Sequence, residues 1–144
     1  MVSTASISAS AKRVDYSKLW WVALVAGAAA AAVNAVIYFI TSALGAFPPT
    51  LITPAGQPLT VVPVIVSSVV GIVGGAIVYA IFGRVFKRPV SIFRIVALIV
   101  LVLSFAQPFI ISGASVLDII ALEIMHVVAG ASAIWFLTTM TVKE

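Results

Sequence analysis

Cysteine is absent from this chain of 144 residues. Its absence excludes disulfides, thiolate metal centres, cysteine nucleophiles, iron–sulfur clusters and attached c-type haem. Charge is nearly as scarce. Asp, Glu, Lys and Arg together make up 8% of the residues, the acidic ones number four, and histidine occurs once. A soluble domain carries roughly 25% charged residues. Here hydrophobic residues reach 63% and the mean hydropathy is +1.29, the composition of a chain whose solvent is lipid. The motifs of hydrolytic and metal chemistry are missing too. There is no Ser-x-x-Lys, no His-Glu-x-x-His, no Gly-x-Ser-x-Gly and no pair of intramembrane aspartates, so the sequence gives no support to an enzyme.

What is present divides into four apolar runs. They predict an all-α membrane protein, a four-transmembrane-helix bundle with spans at roughly 19–43, 61–83, 91–111 and 117–139. Residues 1–17 are rich in Ser and Ala and read as a disordered tail, leaving 18–144 as the transmembrane domain. The first run is much longer than the core of a secretory signal, so it is expected to remain as a span. Pro48, Pro49, Pro54, Gly56 and Pro58 mark the first connection. Pro63 fits the first turn of helix two, and Pro108 is expected to kink the end of helix three.

The net charge of +4 is distributed by topology. Lys18, Arg84, Lys87, Arg88, Arg94 and Lys143 all fall on one side of a four-span bundle, with Lys12 and Arg13. The 45–60 and 112–117 connections carry no basic residue. The positive-inside rule puts that side, and both termini, in the cytoplasm of a cell whose inner membrane holds the protein. Orientation and anionic headgroups account for the basic residues, so no nucleic acid is expected as a partner.

Polar residues inside the spans are few. Glu123 and His126 lie on one helical face with Gly130, Ala133 and Leu137, and this face is expected to turn inward. Asn34, Ser67, Ser68 and Gln107 reach similar depth, so the six polar residues are expected to form a cluster in the half of the bilayer away from the basic side. Glu123 is expected to hydrogen-bond within it. The dull reading is a set of interhelical hydrogen bonds worth roughly 0.6 kcal/mol each. The sharper one is a proton- or cation-linked site. Glu123-x-x-His126 is half of a carboxylate-bridged di-metal motif, but a second copy is missing, and no metal site is expected. Gly27, Gly71, Gly75 and Gly130 are expected at helix-packing contacts, with Ser67, Gly71 and Gly75 forming a small-residue seam.

The Ala-rich "AAVNAVIYFI" of helix one, the Pro-containing loop, the basic "RVFKRP" turn and "HVVAG" in helix four resemble a family of small bacterial four-helix membrane proteins of unknown function, of the type found in actinobacteria and Chloroflexota. The resemblance spans roughly residues 19–140 and implies the fold without an activity. Three functional readings stand. The first is an accessory or structural subunit packing against other membrane subunits or in a homo-oligomer. The second is a small transporter or ligand-binding bundle using Glu123 and His126. The third is a subunit holding haem, quinone or pigment between protomers. Membrane lipids are partners in all three.

Overall fold

The computed structural model describes residues 13–143. Four helices carry the chain: α1 (Tyr16–Ala43), α2 (Val61–Val85), α3 (Pro89–Ser104) and α4 (Val116–Thr139). Each is long and apolar enough to cross a membrane, α3 when taken together with the turns that carry it on to Ile110. In lipid a closed ladder of backbone hydrogen bonds overrides the weak strand preference of the Val- and Ile-rich α2. Pro63 sits in the first turn of α2, where its missing donor removes no helical bond. Helix three ends earlier than its apolar run, at Ser104. It passes through turns at Phe105, Ala106 and Gln107 into a 3-10 turn at Pro108–Ile110, because proline lacks the N–H that would continue the ladder.

Packing is uneven around the bundle. Helix α1 buries the alanine-rich face Ala23, Ala26, Ala30 and Ala31 against α2 and α4. A Cβ on Gly27 would stand 3.4 Å from the Val69 Cα, so glycine permits the close approach of α1 and α2. Helix α3 is peripheral and buries only Pro89 and Phe93. The Tyr79 and Phe93 rings, with centroids 4.8 Å apart, join α2 to α3 near the basic end.

That end is closed by a clasp that corrects the expected tail. Residues 1–12 lie outside the described residues, but Arg13–Ser17 are built into the fold. Strand β1 (Arg13–Val14) pairs antiparallel with β2 (Val142–Lys143), and the Asp15 N–H donates to the Thr141 carbonyl at 2.6 Å. Asp15 caps α1 by accepting from the Ser17 N–H and hydroxyl, and pairs with Lys143 at 3.2 Å. The Tyr16 hydroxyl donates to the Ala80 carbonyl, and Arg84 lies over the Tyr16 ring, 5.2 Å from its centroid. A Cβ on Gly83 would come within 2.6 Å of the Tyr16 hydroxyl and 2.7 Å of Val14 Cγ2, so the clasp requires glycine there.

A second tie closes the opposite end. Ser115 and Asp118 form a capping box at the start of α4. Asp118 Oδ2 accepts from the Ser115 N–H and hydroxyl, and Oδ1 accepts from the Phe47 N–H at 2.6 Å. This bond holds Phe47 in the left-handed region at φ 57°, an unusual state for a large side chain. The Phe47 ring stacks on Tyr38, 5.1 Å between centroids. The 44–60 connection is thereby anchored over the bundle, and it buries its own Leu51 and Leu59 against Val64, Ala121, Leu122 and Met125.

The clasp gives a pH dependence. The Ser17 hydroxyl, and after it Lys143, hold the Asp15 carboxyl below its ordinary value of 3.8, against burial, which raises it. A depressed folded value means that the contribution is complete above the unfolded value. It is lost as pH falls through the lower folded one. Thermal unfolding followed from pH 7 down to pH 2 should therefore show a loss confined to the acid end, smaller in Asp15→Asn than in the parent. An acid loss of equal size in both would sink the role given to Asp15.

Candidate functional site

The polar centre begins at Asn34, which is 2% exposed. Its Nδ2 donates to Ser68 Oγ at 2.9 Å and to the Met125 carbonyl at 3.2 Å, joining α1, α2 and α4. The Met125 oxygen can only accept, so the amide nitrogen must face it. That leaves Asn34 Oδ1 buried and without a partner among the described residues.

Beside this junction α2 and α3 diverge, and a cavity of about 460 Å³ lies between α2, α3 and α4. Asn34, Ser67, Ser68, Ser104, Gln107 and His126 line one end of it. The rest is apolar, from Ile72 and Val100 down to Val78 and Phe93. Ser67, Gly71 and Val100 are exposed along the lining, so the mouth opens sideways between α2 and α3. Five of the six residues expected to cluster therefore do so. Ser104, set beside Pro108 and Gln107 on one helical face, completes the group.

Hydrogen-bond direction decides what this end offers. Ser67 and Ser68 hydroxyls donate to the Val64 carbonyl, and the Ser104 hydroxyl donates to that of Leu101. Each commits its proton to its own helix; Ser67 and Ser104 keep their lone pairs free, while Ser68 already accepts from Asn34. His126 Nδ1 stands 2.7 Å from the Leu122 carbonyl, an acceptor, so Nδ1 carries the proton and the Nε2 of a neutral ring accepts. Nε2 lies 3.4 Å from Gln107 Oε1, and two acceptors do not bond, so Nε2 keeps its single lone pair free unless the Gln107 amide turns its nitrogen toward it. The cavity's polar end is therefore rich in acceptors, and Gln107 is its adjustable donor.

Two expectations need correction. Glu123 does not join the cluster. It belongs to neither cavity wall, and both carboxylate oxygens are buried without a hydrogen-bond partner among the described residues. Its face was read from integer spacing; at about 100° per residue it stands some 60° from His126, at the edge of the inward stripe formed by His126, Gly130, Ala133 and Leu137. The seam of Ser67, Gly71 and Gly75 is a contact between helices of this chain only at Gly75. A Cβ there makes ordinary contact with Phe93 of α3 and Leu137 of α4, whereas one on Gly71 would meet nothing within 4 Å. All three residues line the cavity. Gly27 and Gly130 do sit at close approaches; a Cβ on Gly130 would stand 3.0 Å from Leu101. Among the described residues no three of His, Asp and Glu gather to hold a metal ion.

An unpartnered buried carboxyl weakens the fold. Removing such a group recovers about 1–3 kcal/mol where the replacement fits. Glu123→Leu should therefore raise the unfolding temperature in detergent and leave the oligomeric state unchanged. A variant markedly less stable than the parent would show that Glu123 holds the bundle through contacts beyond those seen here.

The comparisons supply a family and no activity. No curated protein and no solved structure matches the chain. A model of one family covers residues 14–142, from the clasp strand at one terminus to its partner at the other. A match over nearly the whole chain, with four membrane-length helices, means that the protein belongs to the family of unknown function DUF6069.

Proposed function

We propose that this protein is a non-enzymatic integral membrane protein that binds an apolar molecule bearing a hydroxyl group. The carrying observation is the acceptor-rich end of an otherwise apolar cavity. Its volume of about 460 Å³ falls within the roughly 300–1,000 Å³ usual for small-molecule sites. The lateral mouth suits a molecule that arrives through the bilayer. Asn34 Oδ1, buried and unpartnered in the wall, and the lone pairs of Ser67, Ser104 and His126 Nε2 favour a donor head such as an alcohol or a quinol. An oxidised quinone, which can only accept, fits less well. Glu123 has no part in this reading.

A photoreactive long-chain alcohol and its methyl ether, offered to the full chain in detergent, test it. The alcohol should label α2, α3 and α4 along the cavity, and the ether should label about tenfold less, as expected for one lost hydrogen bond to a buried site. Gly71→Phe, which fills the cavity from an exposed position, should abolish labelling. Equal labelling by the ether, or full labelling of the Gly71→Phe protein, would overturn the reading.

The accessory-subunit reading is favoured by one observation, the exposed face at Ser67 and Gly71, where a Cβ on Gly71 would meet nothing within 4 Å. A helix from another subunit lying there would cover the cavity mouth. Native electrophoresis then separates the readings: a 15.0 kDa chain migrating as a larger complex that Gly71→Phe dissolves supports the subunit role.

We also infer that the clasp end faces the cytoplasm of a cell membrane, because Arg13, Lys18, Arg84, Lys87, Arg88, Arg94 and Lys143 all belong to it. A reporter fused after Glu144 should be active only on the cytoplasmic side; activity confined to the outer side would reverse the orientation.

A further inference from the structure

A second cavity, also of about 460 Å³, lies between α3 and α4 on the far side of Leu101. Leu98, Leu101, Val127, Ala131 and Ile134 give it an apolar length, while Arg94, Thr138 and Trp135 stand at the end nearer the clasp. Arg94 lies five residues after Pro89, about 7.5 Å into the helix by its rise. It is exposed, and among the described residues no carboxylate pairs with it; the one ion pair there is Lys143–Asp15. An exposed guanidinium at that depth reaches the boundary between acyl chains and headgroups, where anionic phosphates attract it.

The guanidinium is also held in place. The Thr138 hydroxyl donates to the Ile134 carbonyl at 2.6 Å, and its free lone pair accepts from Arg94 Nε at 2.9 Å. This bond fixes the plane of the fork and leaves the two terminal nitrogens to donate outward, the geometry that recognises phosphate. Trp135 is 59% exposed beside it, and Trp20 and Trp21 are exposed at the start of α1, so the indoles mark the same headgroup level.

We propose that the α3–α4 groove binds one anionic phospholipid, its phosphate on Arg94 and one acyl chain along Leu98, Leu101, Val127 and Ile134. Charge complementarity selects the occupant: a single fixed cation at the headgroup level above an apolar channel matches a phosphate above an acyl chain. The site is separate from the cavity beneath α2 and stands whether or not that cavity binds an alcohol.

The test is native mass spectrometry of the full chain titrated in detergent with dioleoyl phosphatidylglycerol and, separately, dioleoyl phosphatidylcholine. One phosphatidylglycerol should be retained in preference to phosphatidylcholine. Arg94→Gln should weaken its retention about tenfold, as loss of one charge-assisted pair predicts. Ala131→Phe, which fills the groove from an exposed position without altering charge, should weaken it as well and serves alone if Arg94→Gln does not fold. Lys87→Gln, in the neighbouring turn, should retain the lipid as the parent does. Unchanged retention in Ala131→Phe, equal loss in Lys87→Gln, or displacement of the lipid by millimolar glycerol phosphate would overturn the proposal.

Discussion

The bond network at Asn34 is the constraint around which the bundle is arranged. In a bilayer the apolar effect does not drive helices together, so association rests on close packing and on the few polar groups that must be satisfied. Asn34 reaches α2 through Ser68 and α4 through the Met125 carbonyl. The alanines on either side of it allow α1 to lie close enough for both bonds. Three helices are thereby locked at one depth, and α3 is the helix left out.

The peripheral place of α3 creates both cavities. Phe93 ties it to Tyr79 near the clasp, and Gly130 lets Leu101 approach α4 at mid-length. Beyond that the helix ends at Ser104 and turns away through the segment before Pro108. Leu101 contributes to both cavity walls and divides them. On one side lie the serine hydroxyls and His126, and on the other Arg94. Each hydroxyl in this half-empty region donates to a carbonyl of its own helix and is left an acceptor; Ser68 receives Asn34 and Thr138 receives Arg94, while Ser67 and Ser104 face the void.

Four spans and the basic end were legible in the sequence because hydropathy and length suffice for them, whereas the end of α3 at Ser104 was not. Pro108 was legible as a break for an equally local reason. The positions of Gly27 and Gly130 followed from helix faces dominated by small residues. The seam held at Gly75 but was misread at Ser67 and Gly71, because a four-residue repeat defines a stripe without saying what lies opposite it; there α3 has swung aside. Glu123 was misread because spacing of three and four tolerates a rotation of some 60°. The clasp was missed since Arg13-Val14 and Val142-Lys143 are two-residue strands with no pattern of their own, paired across nearly the whole chain. Asp118 offered a signal in the Ser115-x-x-Asp118 spacing of a capping box, but its bond to Phe47 depends on tertiary structure alone.

The direction of hydrogen bonding at the polar end carries the functional account, and His126 reports on it. It is the single histidine of the chain, so ¹⁵N-histidine labelling gives an NMR spectrum whose assignment is immediate. The account predicts the tautomer that carries its proton on Nδ1, with the Nε2 resonance shifting toward the hydrogen-bonded range when a long-chain alcohol is added. A ring protonated at Nε2, or an Nε2 resonance unmoved by saturating alcohol, would contradict it.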